Sequence, residues 1–313
     1  MPLPRRHLLG LAITLPAALA AMSAASAAPA TTGRVTVNGI DIFYRAAGPV
    51  DAPVVLLLHG FPSSSHMFRD LIPLLSEHYR VIAPDYPGFG YSATPDAAQF
   101  PYTFAALTDL VDGFTQAMGM DRYALYMQDY GGPVGFRLAT AHPERVSALI
   151  VQNAVVNVEG WNPDIVAQLA PFWADRNAET EKPLRTMLAP ETTEFQYRQG
   201  SSRADRLTPD AWRHDQIALD APGGTERQLA YFYDYQTNVG EYPRWQEYLS
   251  TAKPPLLVVW GQNDPFFTTA GADLFGKLVP DAETHLFDAG HFALETHVDE
   301  IAPLIVDFLD RKL

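Results

Sequence analysis

The sequence contains no cysteine, which excludes disulfides, thiolate metal sites and a cysteine nucleophile. Basic residues are scarce: 22 Lys and Arg stand against 36 Asp and Glu, and the net charge is −14. Such a surface repels phosphate backbones and anionic lipid, so neither nucleic acid nor a stably bound membrane is an expected partner. No His-x-x-x-His pair and no phosphate-cradling glycine loop occurs, so no metal or cofactor is implied. A Gly-x-Ser-x-Gly elbow is missing too, which argues against an ordinary serine esterase.

What is present suffices for a large core. Of 313 residues, 47% are hydrophobic and 12% aromatic, a composition that fits one large domain carrying an insertion. At the N-terminus, Arg5-Arg6-His7-Leu8-Leu9-Gly10 opens an alanine-rich apolar stretch, and Ala25-Ser26-Ala27 offers a cleavage site. The layout is that of a signal peptide, and the paired arginines resemble a twin-arginine signal. As a membrane anchor the stretch is short, and no stop-transfer charges follow it. The expectation is export to a periplasm or the medium, with residues 1–30 outside the fold. Loss of Arg5 and Arg6 would make the chain two charges more negative.

Past the leader, Val35–Val37 and Ile40–Tyr44 alternate around Asn38-Gly39, a pair that favours a two-residue hairpin turn. Aliphatic runs then recur at 54–58, 81–83, 123–127, 148–152 and 256–260, with a weaker one at 284–287. Unbroken runs of this length suit strands buried on both faces of a parallel sheet. Helical patterns at 67–75, 104–118, 132–141, 270–278 and 299–309 separate or follow them. The alternation predicts an α/β fold with a mostly parallel, doubly wound sheet. Residues 157–242 break the pattern. They show helical segments at 165–173, 182–188, 211–219 and 227–235, and predict an inserted helical cap over a core made of 31–156 and 243–313.

Three residues carry the chemistry. Asp129, in Met127-Gln128-Asp129-Tyr130-Gly131-Gly132, lies between a buried strand and a helix, where a sharp turn presents a side chain at the sheet's carboxyl edge. Asp264 lies just beyond the strand at 256–260, and His291 follows the final strand. All three fall at carboxyl ends of strands, where open α/β sheets place their sites, in the chain order nucleophile, acid, histidine. In His59-Gly60-Phe61-Pro62, the Phe61 N–H is placed to join that of Tyr130 as an oxyanion hole. His59 and Asp85 read as structural anchors.

The motifs HGFP, DYPGFGYS, QDYGG and AGHF, over about 35–313, resemble the α/β-hydrolase superfamily. Within it they look like the branch with an aspartate nucleophile, the epoxide hydrolases and haloalkane dehalogenases. QDYGG is similar to the QDWGG of some haloalkane dehalogenases. HGFP is more typical of epoxide hydrolases and fluoroacetate dehalogenase. Two departures stand out: Tyr130 where tryptophan is usual, and Met127 where epoxide hydrolases often carry a smaller residue.

The resemblance implies an alkyl-ester intermediate on Asp129, opened by water with His291 as base and Asp264 orienting the ring. A carboxylate attacking an ester would form a reactive anhydride, so a saturated carbon is the fitting target. An epoxide oxygen needs a proton donor, whereas a halide needs N–H donors. Epoxide hydrolases use cap tyrosines as donors. Tyr231, Tyr233 and Tyr235 lie in the expected last cap helix, and Asp234-Tyr235-Gln236 resembles the segment bearing one such tyrosine. Trp173 falls near the place of the other and could pair with Tyr235 as in a fluoroacetate-type site. Epoxide hydrolysis of a small apolar organic substrate is the first expectation. Dehalogenation by the same nucleophile is second, and a hydrolase-fold ligand-binding protein third.

Overall fold

The computed structural model describes residues 30–313. The expected leader lies outside the described residues. The chain runs through β1 (Thr31–Val37), β2 (Ile40–Ala47), β3 (Val54–Leu58), α1 (Leu71–Leu75), β4 (Arg80–Pro84), α2 (Phe104–Ala117), β5 (Tyr123–Gln128), α3 (Gly131–Ala141) and β6 (Val146–Gln152). Six helices follow: α4 (Pro163–Ala174), α5 (Ala178–Thr186), α6 (Pro190–Arg198), α7 (Pro209–Asp220), α8 (Gly224–Asp234) and α9 (Gln236–Ala252). The sheet then resumes with β7 (Leu256–Gly261), α10 (Thr269–Leu278), β8 (Glu283–Phe287) and α11 (Ala293–Lys312).

The eight strands form one sheet in the order β1-β2-β4-β3-β5-β6-β7-β8. The first two are antiparallel to their neighbours and β3 to β8 run parallel. Asn38 and Gly39 both adopt positive φ, 51° and 79°, as a turn matched to strand twist requires.

The aliphatic runs are buried throughout because each serves two cores. Leu56, Leu58, Leu125, Met127, Val258 and Trp260 face one layer with α2, α3 and α10. Their neighbours Val55, Leu57, Ala124, Tyr126, Leu257 and Val259 face the other, with α1 and α11. The period-two pattern therefore survives inside runs that read as continuously apolar.

The helices α4 to α9 occupy the interval between β6 and β7 where helical segments were expected. Two of them were not foreseen, α6 and most of α9. The 17-residue α9 runs straight through position 242, so the insertion between sheet strands extends to Ala252. Burial of Tyr242, Trp245 and Leu249 on one face holds this helix together despite Gly240 and Pro243.

Candidate active site

Asp129 sits between β5 and α3 with φ at +47°, a left-handed conformation that Asp and Asn tolerate better than most residues. Space for this turn depends on glycine. A Cβ on Gly131 would lie 2.2 Å from the Leu58 carbonyl oxygen, and one on Gly60 would lie 2.3 Å from the Asp129 Cβ. The HGFP loop can approach the acid only because residue 60 has no side chain.

The Phe61 N–H donates to Asp129 Oδ1 at 2.6 Å. Burial pushes the Asp129 carboxyl up to about 6, against the opposing influence of His291 and of the Phe61 and Tyr130 N–H groups. The N–H groups of Phe61 and Tyr130 thus both act on the carboxyl of Asp129.

His291 is 2% exposed, and its Nδ1 lies 2.8 Å from Asp264 Oδ2. Burial disfavours the imidazolium, but the Asp264 carboxylate outweighs it and holds the ring above the ordinary histidine value. Asp264 is fully engaged: Oδ2 also accepts from Asn153 Nδ2 at 2.8 Å, and Oδ1 accepts from the Phe266 N–H at 2.7 Å. Asn153 in turn is clamped to Gly261 through both ends of its amide. With Nδ1 donating to Asp264, the neutral ring presents Nε2 as an acceptor. Gln128 Nε2 meets it at 2.9 Å, while Gln128 Oε1 is buried without a partner.

A cavity with about 490 Å³ of empty space opens directly on Asp129 and His291. Phe61, Trp161, Phe232, Phe266, Phe267 and aliphatic side chains make most of its wall, and Tyr130, Gln196 and Tyr235 are its other polar residues. The Tyr235 hydroxyl is buried, and the Tyr242 hydroxyl beside it is the one group near enough to pair with it, in poor geometry. Burial first, then the nearby phenol of Tyr242 and the Asp129 carboxylate, hold Tyr235 well above the ordinary tyrosine value. Its ring is fixed edge-on to Phe104 and Trp161, with centroids 5.2 and 5.0 Å away.

Two other expected residues are not in the cavity wall. Tyr233 turns outward to stack edge-on against Phe172 and lies under the Arg176 guanidinium. Trp173 lies parallel to Tyr235 at 6.5 Å, but its indole N–H donates to the Phe232 carbonyl at 2.8 Å. Trp161, which lines the cavity, likewise donates its N–H to the Tyr242 hydroxyl at 3.0 Å. The reason is periodicity: residues two apart on a helix point to different sides, so Tyr233 cannot share the face of Tyr235.

His59 is fully buried and tied to backbone at both ring nitrogens. Its Nδ1 meets the Gly60 carbonyl, its Nε2 accepts from the Tyr86 N–H, and burial lowers it to about 3. Asp85 anchors the N–H groups of Ser65 and Tyr91. Sequence reasoning missed Asn153, Gln128 as a partner of His291, and Gln196. Only the first two had a signal, since both stand at the carboxyl end of a parallel strand. Among the described residues no cluster of three or more His, Asp or Glu is placed to hold a metal. No helix among them is long and apolar enough to cross a membrane.

Comparison with known proteins agrees with this architecture. The model of the alpha/beta hydrolase fold family matches residues 53–298. An uncharacterized hydrolase of Saccharomyces cerevisiae is 38% identical, with 86% of this chain and 93% of the relative aligned. A haloalkane dehalogenase of Psychrobacter cryohalolentis is 26% identical over 86% of this chain and 87% of its own length. A cis-3-alkyl-4-alkyloxetan-2-one decarboxylase of Xanthomonas campestris is 29% identical over 88% and 94%. Among solved structures, the epoxide hydrolase CorEH superposes with a TM-score of 0.73 over 90% of this chain and 99% of its own, at 18% identity, a likeness of fold.

The chain belongs to the alpha/beta hydrolase fold family. It is an enzyme of that class, similar to haloalkane dehalogenases in sequence and to epoxide hydrolases in fold.

Proposed function

We propose that this enzyme hydrolyses epoxides to diols through an alkyl ester on Asp129. The observation that carries the reading is the buried hydroxyl of Tyr235, paired with no group except the adjacent Tyr242 phenol, in the same apolar cavity as Asp129 and His291. An epoxide oxygen leaves as an alkoxide and needs a proton. A phenol held well above 10 keeps its proton across the whole working range and still surrenders it to a stronger base. A halide would need a pair of N–H donors instead, and both nearby indoles already spend theirs on Tyr242 and Phe232, which leaves the Gln196 amide alone in that role.

The steps follow from the atoms. Asp129 Oδ1 is held by the Phe61 N–H, which leaves Oδ2 to attack the epoxide carbon. The carbon–oxygen bond of the ring breaks, and the Tyr235 proton meets the departing oxygen. The ester carbonyl oxygen is then Oδ1, already held by the Phe61 N–H, and the Tyr130 N–H supplies the second donor of the oxyanion hole. Water attacks the Asp129 Cγ and gives a proton to His291 Nε2, and Asp264 stabilises the imidazolium. Collapse of the intermediate breaks the bond from Cγ to the alkyl oxygen, which takes the proton from His291 and leaves as the diol, and the proton of the new Asp129 carboxyl returns to the Tyr235 phenolate. Gln128 stands at the nitrogen that must accept the water proton.

In this proposal the helices α4 to α9 act as the cap that closes the cavity, and residues 1–27 act as an export leader. The deciding experiment is a panel of terminal epoxides and haloalkanes with product identification. Diol formation without halide release is the expected result. Halide release with no diol would place the chain among dehalogenases.

A further inference from the structure

Gln196 lies on α6, a helix with no functional role so far, and its side chain lines the cavity. It is 2% exposed, and its Nε2 is buried with no hydrogen-bond partner. An unmet amide N–H among apolar groups is destabilising, and a hydrophobic residue of similar size would avoid the cost. The position is not loosely held. The next residue, Tyr197, stacks on Phe292 with centroids 4.0 Å apart and bonds to Asp215. At the end of the helix, the Gln199 carbonyl oxygen lies 2.0 Å from where a Cβ on Gly290 would be. The helix is thus fixed against the loop that carries His291, and Gln196 enters the cavity from that side. Tyr235 enters from the junction of α8 and α9, packed on Phe104 and Trp161. Two polar groups therefore reach the same apolar space from different walls. One is placed to serve the epoxide oxygen, and the other is left for a different part of the substrate.

We propose that Gln196 is a specificity-determining residue. Its amide N–H donates to an acceptor oxygen, an ether or a carbonyl, carried by the substrate away from the reacting ring. The substrate class is then an epoxide with an apolar body and one such oxygen, rather than a plain alkyl epoxide. This rests on the epoxide reading given above.

The test compares an alkyl glycidyl ether with the 1,2-epoxyalkane of equal length, in the wild type and in Gln196→Leu. Net worth of one hydrogen bond is about 1 kcal/mol, or roughly fivefold. The wild type should prefer the ether by about that factor in kcat/KM, through KM, and the preference should vanish in the variant. Equal preference in both proteins, or none in the wild type, overturns the assignment. Gln196→Met keeps length and volume, and serves the same comparison should the leucine variant fold poorly. A second arm needs no turnover: binding of diethyl ether and pentane, followed by tryptophan fluorescence. If neither epoxide is hydrolysed, yet the wild type alone favours the ether, Gln196 keeps its role and the epoxide reading falls. If both proteins bind the two ligands in the same ratio, the role of Gln196 falls whatever the reaction proves to be.

Discussion

Asp129→Asn should stabilise the protein, and by an amount that depends on pH in a defined way. Burial lifts the Asp129 carboxyl from 3.8 to about 6 in the folded chain. A raised carboxyl means that folding favours the protonated form, so the folded state bears a penalty wherever the group must ionise. The sign follows: below the unfolded value, near 3.8, both states are protonated and no penalty exists. It grows as pH rises through the interval and is complete above about 6. A shift of about two pH units corresponds to roughly 3 kcal/mol. Asparagine carries no charge, still accepts from the Phe61 N–H, and tolerates the +47° φ at this position. For a chain of this size, 3 kcal/mol corresponds to roughly 5 °C or more in Tm. Thermal unfolding of both proteins between pH 4 and pH 8 measures it. The variant should gain several degrees at pH 8 and much less at pH 4. A gain of the same size at every pH would mean relief of backbone strain alone. A loss at pH 8 would refute the reasoning that the carboxylate is held in an unfavourable charge state.

The same site yields further expectations. Tyr235→Phe should slow formation of the ester by about 100-fold or more, the usual weight of a general acid, and rapid-quench detection of the ester reads this step directly. His291→Gln should form the ester and fail to open it. Mass spectrometry of the substrate-treated variant should then find Asp129 alkylated, and an unmodified peptide would count against the role of the histidine. Gln128→Leu removes an N–H donor from the lone pair of His291, which frees that nitrogen for a proton, so the imidazole should titrate at higher pH. Nitrogen-15 NMR of the histidine ring measures the shift, and an unmoved titration would show that the amide is not bonded to the ring.

Much of the scaffold was legible because a parallel sheet leaves a plain trace. The runs at 54–58, 123–127, 148–152 and 256–260 carry apolar side chains at every position, since both faces are covered. Asp129 and Asp264 stood out because each follows such a run, and His291 because it follows the weaker final strand at 284–287. The insertion was harder. The sequence of α6, PETTEFQYR, offers mixed polarity and no clean apolar stripe, yet Thr193, Gln196 and Tyr197 are all buried. Nothing local shows that a glutamine there faces a cavity, because the cavity is made by residues distant in the chain. The expected cap ended at residue 242, whereas Trp245 and Leu249 pack well enough to carry α9 past Gly240 and Pro243. Trp173 was read by its place in the chain. The carbonyl of Phe232 that takes its N–H could be found only in three dimensions.

The central claim is that Asp129 forms a covalent bond to substrate and that water opens the ester at Cγ. A single turnover in water enriched with oxygen-18, with enzyme in excess over an epoxide, tests it most directly. The diol should carry only unlabelled oxygen, and the label should appear in the Asp129 peptide. A labelled diol with an unlabelled Asp129 would mean that water attacks the substrate itself, and that the carboxylate is not the nucleophile.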